Sequence, residues 1–196
     1  RHHSFSINVR PGQDFAATRN ANTHVFTYNL KVPKDAKLAV ESGCFFHPVS
    51  TPSGVAITDL APADHPHHRG VFFGFVEMRG AKHDADFWGW GEHAPKDNRK
   101  IVNVDKSNIV TGDRAAATYM NAWKVGDAVM VDESVTMSAT ALDDANVLDF
   151  DYRLTPREDI RLPRWAFSGF CVRLRKDGKI VYTDKNGVVD RPALNH

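Results

Sequence analysis

Between Asn146 and Leu154 the chain reads NVLDFDYRL. Leu148, Phe150, Tyr152 and Leu154 fall on one face, and Asp149, Asp151 and Arg153 on the other. That period of two is the pattern of a half-buried β-strand. The run ESVTMSATAL repeats it, with Val135, Met137, Ala139 and Ala141 opposite Ser134, Thr136, Ser138 and Thr140. FCVRLR sets Phe170, Val172 and Leu174 against Cys171, Arg173 and Arg175. Further strands are predicted at FSINV, HVFTYNLKV, KLAVESGCFF, GVAIT, VFFGFVEM, NAWKV and KIVYT. Turn chemistry separates them. Gly112-Asp113, Gly126-Asp127 and Asp177-Gly178 each predict a hairpin, because these residues accept positive φ. One short helix is expected between Pro156 and Pro163. About a dozen short strands with almost no helix define an all-β chain, an antiparallel β-sandwich. No repeat, linker or composition break divides it, so residues 1–196 read as one domain.

Composition narrows the function classes. Of 196 residues, 42% are hydrophobic, and 25 Lys and Arg against 24 Asp and Glu leave a net charge of +1. A balance so close to neutral lacks the electrostatic footprint of a nucleic-acid or membrane-surface protein. No apolar run approaches the ~20 residues that span a bilayer, so the chain reads as soluble, with periplasmic, secreted and cytoplasmic placements all open. Cys44 and Cys171 make neither a disulfide framework nor a metal set and read as small buried residues. GxGxxG, Walker and Gly-x-Ser-x-Gly motifs are absent, which removes the usual signatures of nucleotide enzymes and serine hydrolases.

The candidate chemistry is concentrated in ADHPHHRG, residues 63–70. Pro52, Pro62, Pro66, Gly54 and Gly70 stiffen the surrounding loop, and Pro66 biases His65 towards extended backbone. An extended segment projects His65 and His67 to one side and His68 to the other. In an acid–base reading, His67 and His68 transfer protons near neutral pH. Asp64 or Asp86 then fixes a histidine tautomer, and Arg69 clamps a carboxylate, phosphate or developing oxyanion. No cofactor is required. In a metal reading, His47, His65 and His67, with Asp64 or Asp86, hold a divalent ion such as Zn, Fe or Cu. His24, His83, His93 and His196 read as structural hydrogen-bonders.

A second constellation, HDADFWGWGEH, follows at residues 83–93. Trp88 and Trp90 resemble a wall for the apolar face of a pyranose, and Glu92 with the neighbouring acids accepts hydroxyl protons. The alternative places Phe87 and Trp88 in the core. Trp123 and Trp165 read as core, and Glu133, at a strand start, as a residue facing a cleft.

His47-Pro48, TPSG at 51–54, ADHPHHRGVFFGF at 63–75 and Asp86-Phe87-Trp88-Gly89 together resemble the bacterial family labelled "methane oxygenase PmoA". The resemblance runs from about Val40 onward. It implies a β-sandwich, similar in kind to the galactose-mutarotase class, and a carbohydrate role. Members of that family continue beyond the point where this chain stops. The resemblance therefore implies further strands, from a missing segment, a partner chain or a tight homo-oligomer.

Three functions follow as expectations. The first is a carbohydrate-active enzyme of hydrolase, lyase or epimerase type, with a sugar, oligosaccharide or sugar-derived small molecule as substrate. The second is a metal-dependent oxygenase or hydrolase. The third is a non-catalytic carbohydrate-binding sandwich.

Overall fold

The computed structural model describes residues 4–10, 14–38, 43–89, 99–179 and 181–190. Its fold is all-β. The first strands are β1 (Phe5–Arg10), β2 (Asp14–Arg19), β3 (Thr23–Asn29), β4 (Phe45–Val49) and β5 (Val71–Gly74). With β13 (Gly169–Val172) they form an antiparallel sheet in the order β1-β2-β3-β4-β5-β13. The long strands β8 (Arg99–Thr111), β9 (Arg114–Val125), β10 (Ala128–Ala141) and β11 (Asn146–Pro156) make a four-stranded meander. Three short strands, β6 (Met78–Gly80), β7 (Asp84–Ala85) and β12 (Ile160–Arg161), pair separately, as do β14 (Tyr182–Asp184) and β15 (Gly187–Val189).

The two large sheets bury their apolar rows against each other. Ala115, Ala117 and Tyr119 of β9 and Val135, Met137 and Ala139 of β10 share a core with Phe26, Tyr28 and Phe46. Tyr28 stacks on Tyr119 with ring centroids 3.8 Å apart. This is a β-sandwich, and the alternation in β10 and β11 is the one read from the sequence. The hairpins at Gly112-Asp113 and Gly126-Asp127 are present, both glycines with positive φ.

The opposite face of the six-stranded sheet carries a second apolar cluster. Strand alternation turns Phe45 and Phe72 away from the main core, and they pack with Val76 and Trp88. The histidine loop lies beside this cluster.

Several local expectations are corrected. Residues 156–163 form no helix: Ile160 and Arg161 pair with β6, and the Glu158 carboxylate receives the Lys82 N–H and the His83 ring, which holds the segment extended. GVAIT is not a strand but contributes isolated bridges, Ser50 to Ala56 and Thr58 to Leu174. Among the described residues no hairpin pairing forms across Asp177-Gly178; the chain before it is stitched backwards instead. Arg175 N–H donates to the Ile57 carbonyl and Arg173 N–H to the Gly70 carbonyl. The hairpin forms later, between β14 and β15. Glu133 faces the core rather than a cleft, accepting from Asn121 Nδ2 at 2.6 Å and Trp123 Nε1 at 2.8 Å.

Strand β13 overhangs. Its register places Phe170 beside Phe73 and Val172 beside Val71, on the inner face of the sheet. Phe170 reaches Phe150 of β11 at 5.5 Å, yet it is 48% exposed. The six-stranded sheet extends past a partner that ends, among the described residues, at β11.

Candidate functional site

The histidine loop is two successive turns rather than an extended segment. His65 N–H donates to the Pro62 carbonyl at 3.0 Å, and His68 N–H to the His65 carbonyl at 2.9 Å. Ala61 N–H closes the loop on the His68 carbonyl. The expectation that His68 points away from its neighbours is therefore overturned, since the turns gather all three rings. His65 and His68 stack at 4.6 Å, and His67 meets His68 edge-on at 4.6 Å. His67 is buried behind the other two, which are half-exposed. Gly70, at φ 58°, makes the loop's return possible: a Cβ there would lie 2.1 Å from the Phe46 carbonyl oxygen.

Arg69 is not a substrate clamp. It is 1% exposed, and its guanidinium donates to the carbonyls of His67 (3.1 Å), Trp88 (3.2 Å) and Phe87 (3.0 Å). It also lies 4.2 Å from the centre of the Phe72 ring. Its chemistry is to clip the histidine loop to the Asp86–Gly89 turn, satisfying three buried carbonyls. Asp86 is likewise structural: fully buried, it accepts the N–H groups of Trp88 and Gly89, each at 2.7 Å. Trp88 is 4% exposed and packs on Phe72, so it offers no open face to a sugar. Trp90 and Glu92 lie outside the described residues.

The two motifs do meet. Trp88 touches His68 edge-on at 5.9 Å and His67 at 6.5 Å. The aromatic surface beside them belongs to Phe167, 38% exposed, at 5.8 Å from Trp88 and 6.4 Å from the half-buried Trp165.

Asp64 fixes His65, whose Nδ1 lies 3.0 Å from its carboxylate. Two cations join them from the far end of the chain: Arg173 donates to Asp64 Oδ1 at 2.8 Å, and Lys176 to Oδ2. Arg173 also approaches His68 Nδ1 at 3.5 Å. Sequence reasoning missed both residues, because their proximity comes from backbone pairing. The Arg173 N–H and carbonyl bridge Gly70 and Asp59, at the two ends of the loop. The FCVRLR alternation places Arg173 only on the face opposite Phe170 and Val172 and gives no sign of its partner.

These contacts set the charge states. Burial, followed by the neighbouring His65, Arg69 and Arg173, pushes His67 down to about 4. Burial, followed by His67, His65 and Arg173, does the same for His68, also to about 4. Both are neutral at physiological pH. Lys176, His65 and Arg173 hold Asp64 well below the usual carboxylate range. His47 stands apart in this network, with Nδ1 2.9 Å from Thr58 Oγ1. Among the described residues no three His, Cys, Asp or Glu side chains gather into a group that holds a metal ion. The metal set His47, His65 and His67 is thus not assembled: His47 is bonded to Thr58 on the strand side, while the loop turns carry His65 and His67 together.

The whole defines an all-β sandwich with a histidine-rich polar loop on one sheet. The chain belongs to DUF6807, a family of unknown function, whose profile matches residues 16–194. No curated protein and no solved structure matches it. Among the described residues no helix is long and apolar enough to cross a membrane.

Proposed function

We propose that this protein is a proton-transfer enzyme of hydrolase, lyase or epimerase type, acting on a sugar or sugar-derived small molecule at the His65–His68 loop. The observation that carries the reading is the stacked, half-exposed pair of His65 and His68, with Asp64 beside His65 and Arg173 beside His68. The Asp64 carboxylate, 3.0 Å from His65 Nδ1, favours the proton on that nitrogen and leaves Nε2 as the basic atom. Arg173 favours an acceptor at His68 Nδ1, which places the proton on Nε2 as a donor. His65 then takes a proton from the substrate, and neutral His68 donates a hydrogen bond to the oxygen on which charge develops. The proton returns from His65 to product. The carbohydrate assignment is supported by the PmoA-like motifs and by Phe167, an exposed aromatic beside the rings.

The test is solvent-proton exchange. A library of sugars and sugar acids is incubated with the protein in deuterated water and followed by NMR. Enzyme-dependent deuterium uptake or product formation is expected, lost in His65→Ala and His68→Ala variants that remain folded. Equal turnover in both variants would overturn the reading.

A second reading, a non-catalytic carbohydrate-binding sandwich, has one observation in its favour. The outer face of β9, β10 and β11 forms a polar groove lined by Met120, Asp132, Ser134, Thr136, Asp151 and Arg153. Sugar binding lost in Thr136→Val and Asp151→Ala, with no turnover anywhere, identifies that role.

A further inference from the structure

We propose that the site takes an anionic sugar derivative, carrying a carboxylate or a phosphate, and that Arg173 with Lys176 receives the anion. The proposal rests on the acid–base reading of the histidine cluster and specifies its substrate class.

The first observation is a charge mismatch. Asp64 is a single carboxylate between two cations, Arg173 and Lys176. The other nearby acids are engaged elsewhere: Asp86 with the Trp88 and Gly89 N–H groups, Asp59 with Leu60 N–H, and Asp177 with Arg175. Asp86 keeps its charge and offsets that of the buried Arg69. At the exposed rim of the loop two cations, Arg173 and Lys176, therefore face the one carboxylate of Asp64.

The second observation is a donor without an acceptor. Arg173 has a side chain only 11% exposed, with one terminal nitrogen on Asp64 and the other on His68. Its Nε–H is buried and finds no partner among the described residues. An oxyanion that displaces Asp64 takes over that terminal N–H together with the unpaired Nε–H, the two-point geometry a planar fork offers.

A neutral polyol fits less well. Sugar hydroxyls need acceptors, and the one carboxylate on the loop is already taken by two donors, Arg173 and Lys176, with His65 Nδ1 beside it at 3.0 Å. Donors, by contrast, are in surplus. Lys176, on the exposed side, completes the cradle as a mobile point charge.

The experiment is calorimetric titration of the full chain with D-glucose, D-glucuronate and D-glucose 6-phosphate at two salt concentrations. At least one anion is expected to bind ~10-fold or more tighter than glucose, and more weakly at high salt. The two anionic arms decide between carboxylate and phosphate. Arg173→Gln is expected to bring anion affinity down to that of glucose. Lys176→Gln, at an exposed position that does not test folding, should lower it by roughly 3-fold. Asp64→Asn, which removes the competing carboxylate, should raise it. Glucose binding as tightly as both anions, anion affinity unchanged in Lys176→Gln and in folded Arg173→Gln, or no anion binding at millimolar concentration would each overturn the proposal. Anion binding that depends on Arg173, combined with proton exchange insensitive to His65→Ala and His68→Ala, would retain the anion site and reject the acid–base reading instead.

Discussion

Arg173 donates to the carboxylate of Asp64 at 2.8 Å although 109 residues separate them in the chain. The pair is set by backbone pairing, since Arg173 N–H donates to Gly70 and its carbonyl receives Asp59 N–H. Asp64 is exposed, so its ion pairs are screened and contribute little to folding. Asp64→Asn is therefore expected to leave the urea midpoint nearly unchanged while turnover falls ~10-fold or more, because His65 loses the group that fixes its tautomer. A variant that unfolds early but turns over normally would assign Asp64 a purely structural role.

Arg69 has the opposite profile. Its replacement by Met keeps bulk against Phe72 but leaves the buried carbonyls of His67, Phe87 and Trp88 without their donor. Each orphaned acceptor costs roughly 1–3 kcal/mol, so a loss of ~3 kcal/mol or more is expected in denaturant unfolding. An Arg69→Met protein as stable as the parent would contradict the clip.

The two aromatics beside the histidines separate in the same way. Trp88 is a core residue and Phe167 a surface one. Trp88→Ala is expected to lose ~3–5 kcal/mol of stability through the cavity it opens. Phe167→Ala should stay within ~0.5 kcal/mol and instead weaken sugar binding, read by titration of the same ligands. A Phe167→Ala variant with full affinity would remove it from the site.

Much of the fold was legible because it rests on local rules. Alternation in β10 and β11 and glycine turns at 112 and 126 are properties of a few neighbouring residues. The site was legible in its location and less so in its roles. ADHPHHRG and DFWG were singled out by their unusual chemistry, and the fold does bring them together. Residue type does not reveal burial, however. Arg69, Asp86 and Trp88 carry chemistry that serves a ligand at a surface and a scaffold in an interior, and only the tertiary structure chooses. Arg173 and Lys176 were hidden for a different reason. Their place depends on a non-local bridge between residues 58–60, 69–70 and 173–174, which no periodicity announces.

The buried ionisable groups predict a pH dependence of stability with two opposing parts. His67 and His68 sit at about 4 in the fold against an ordinary 6.5, so the unfolded chain binds their protons more readily. Their contribution is complete above pH 6.5 and is lost as pH falls towards 4. Glu133 works the other way. Burial raises it above 4.5, against the lowering effect of Asn121 and Trp123, so the fold holds that proton more tightly than the unfolded chain does. Its contribution is present below pH 4.5 and is lost as pH rises through the raised value. In urea unfolding between pH 4 and 7, the native protein is expected to lose stability on acidification, the two histidines outweighing one carboxyl. A His67→Gln/His68→Gln protein should lose most of that slope and keep the smaller part that the burial of His24 and His47 supplies in the same direction, and adding Glu133→Gln should steepen what remains. An acid slope undiminished by the histidine replacements would place its origin elsewhere in the chain.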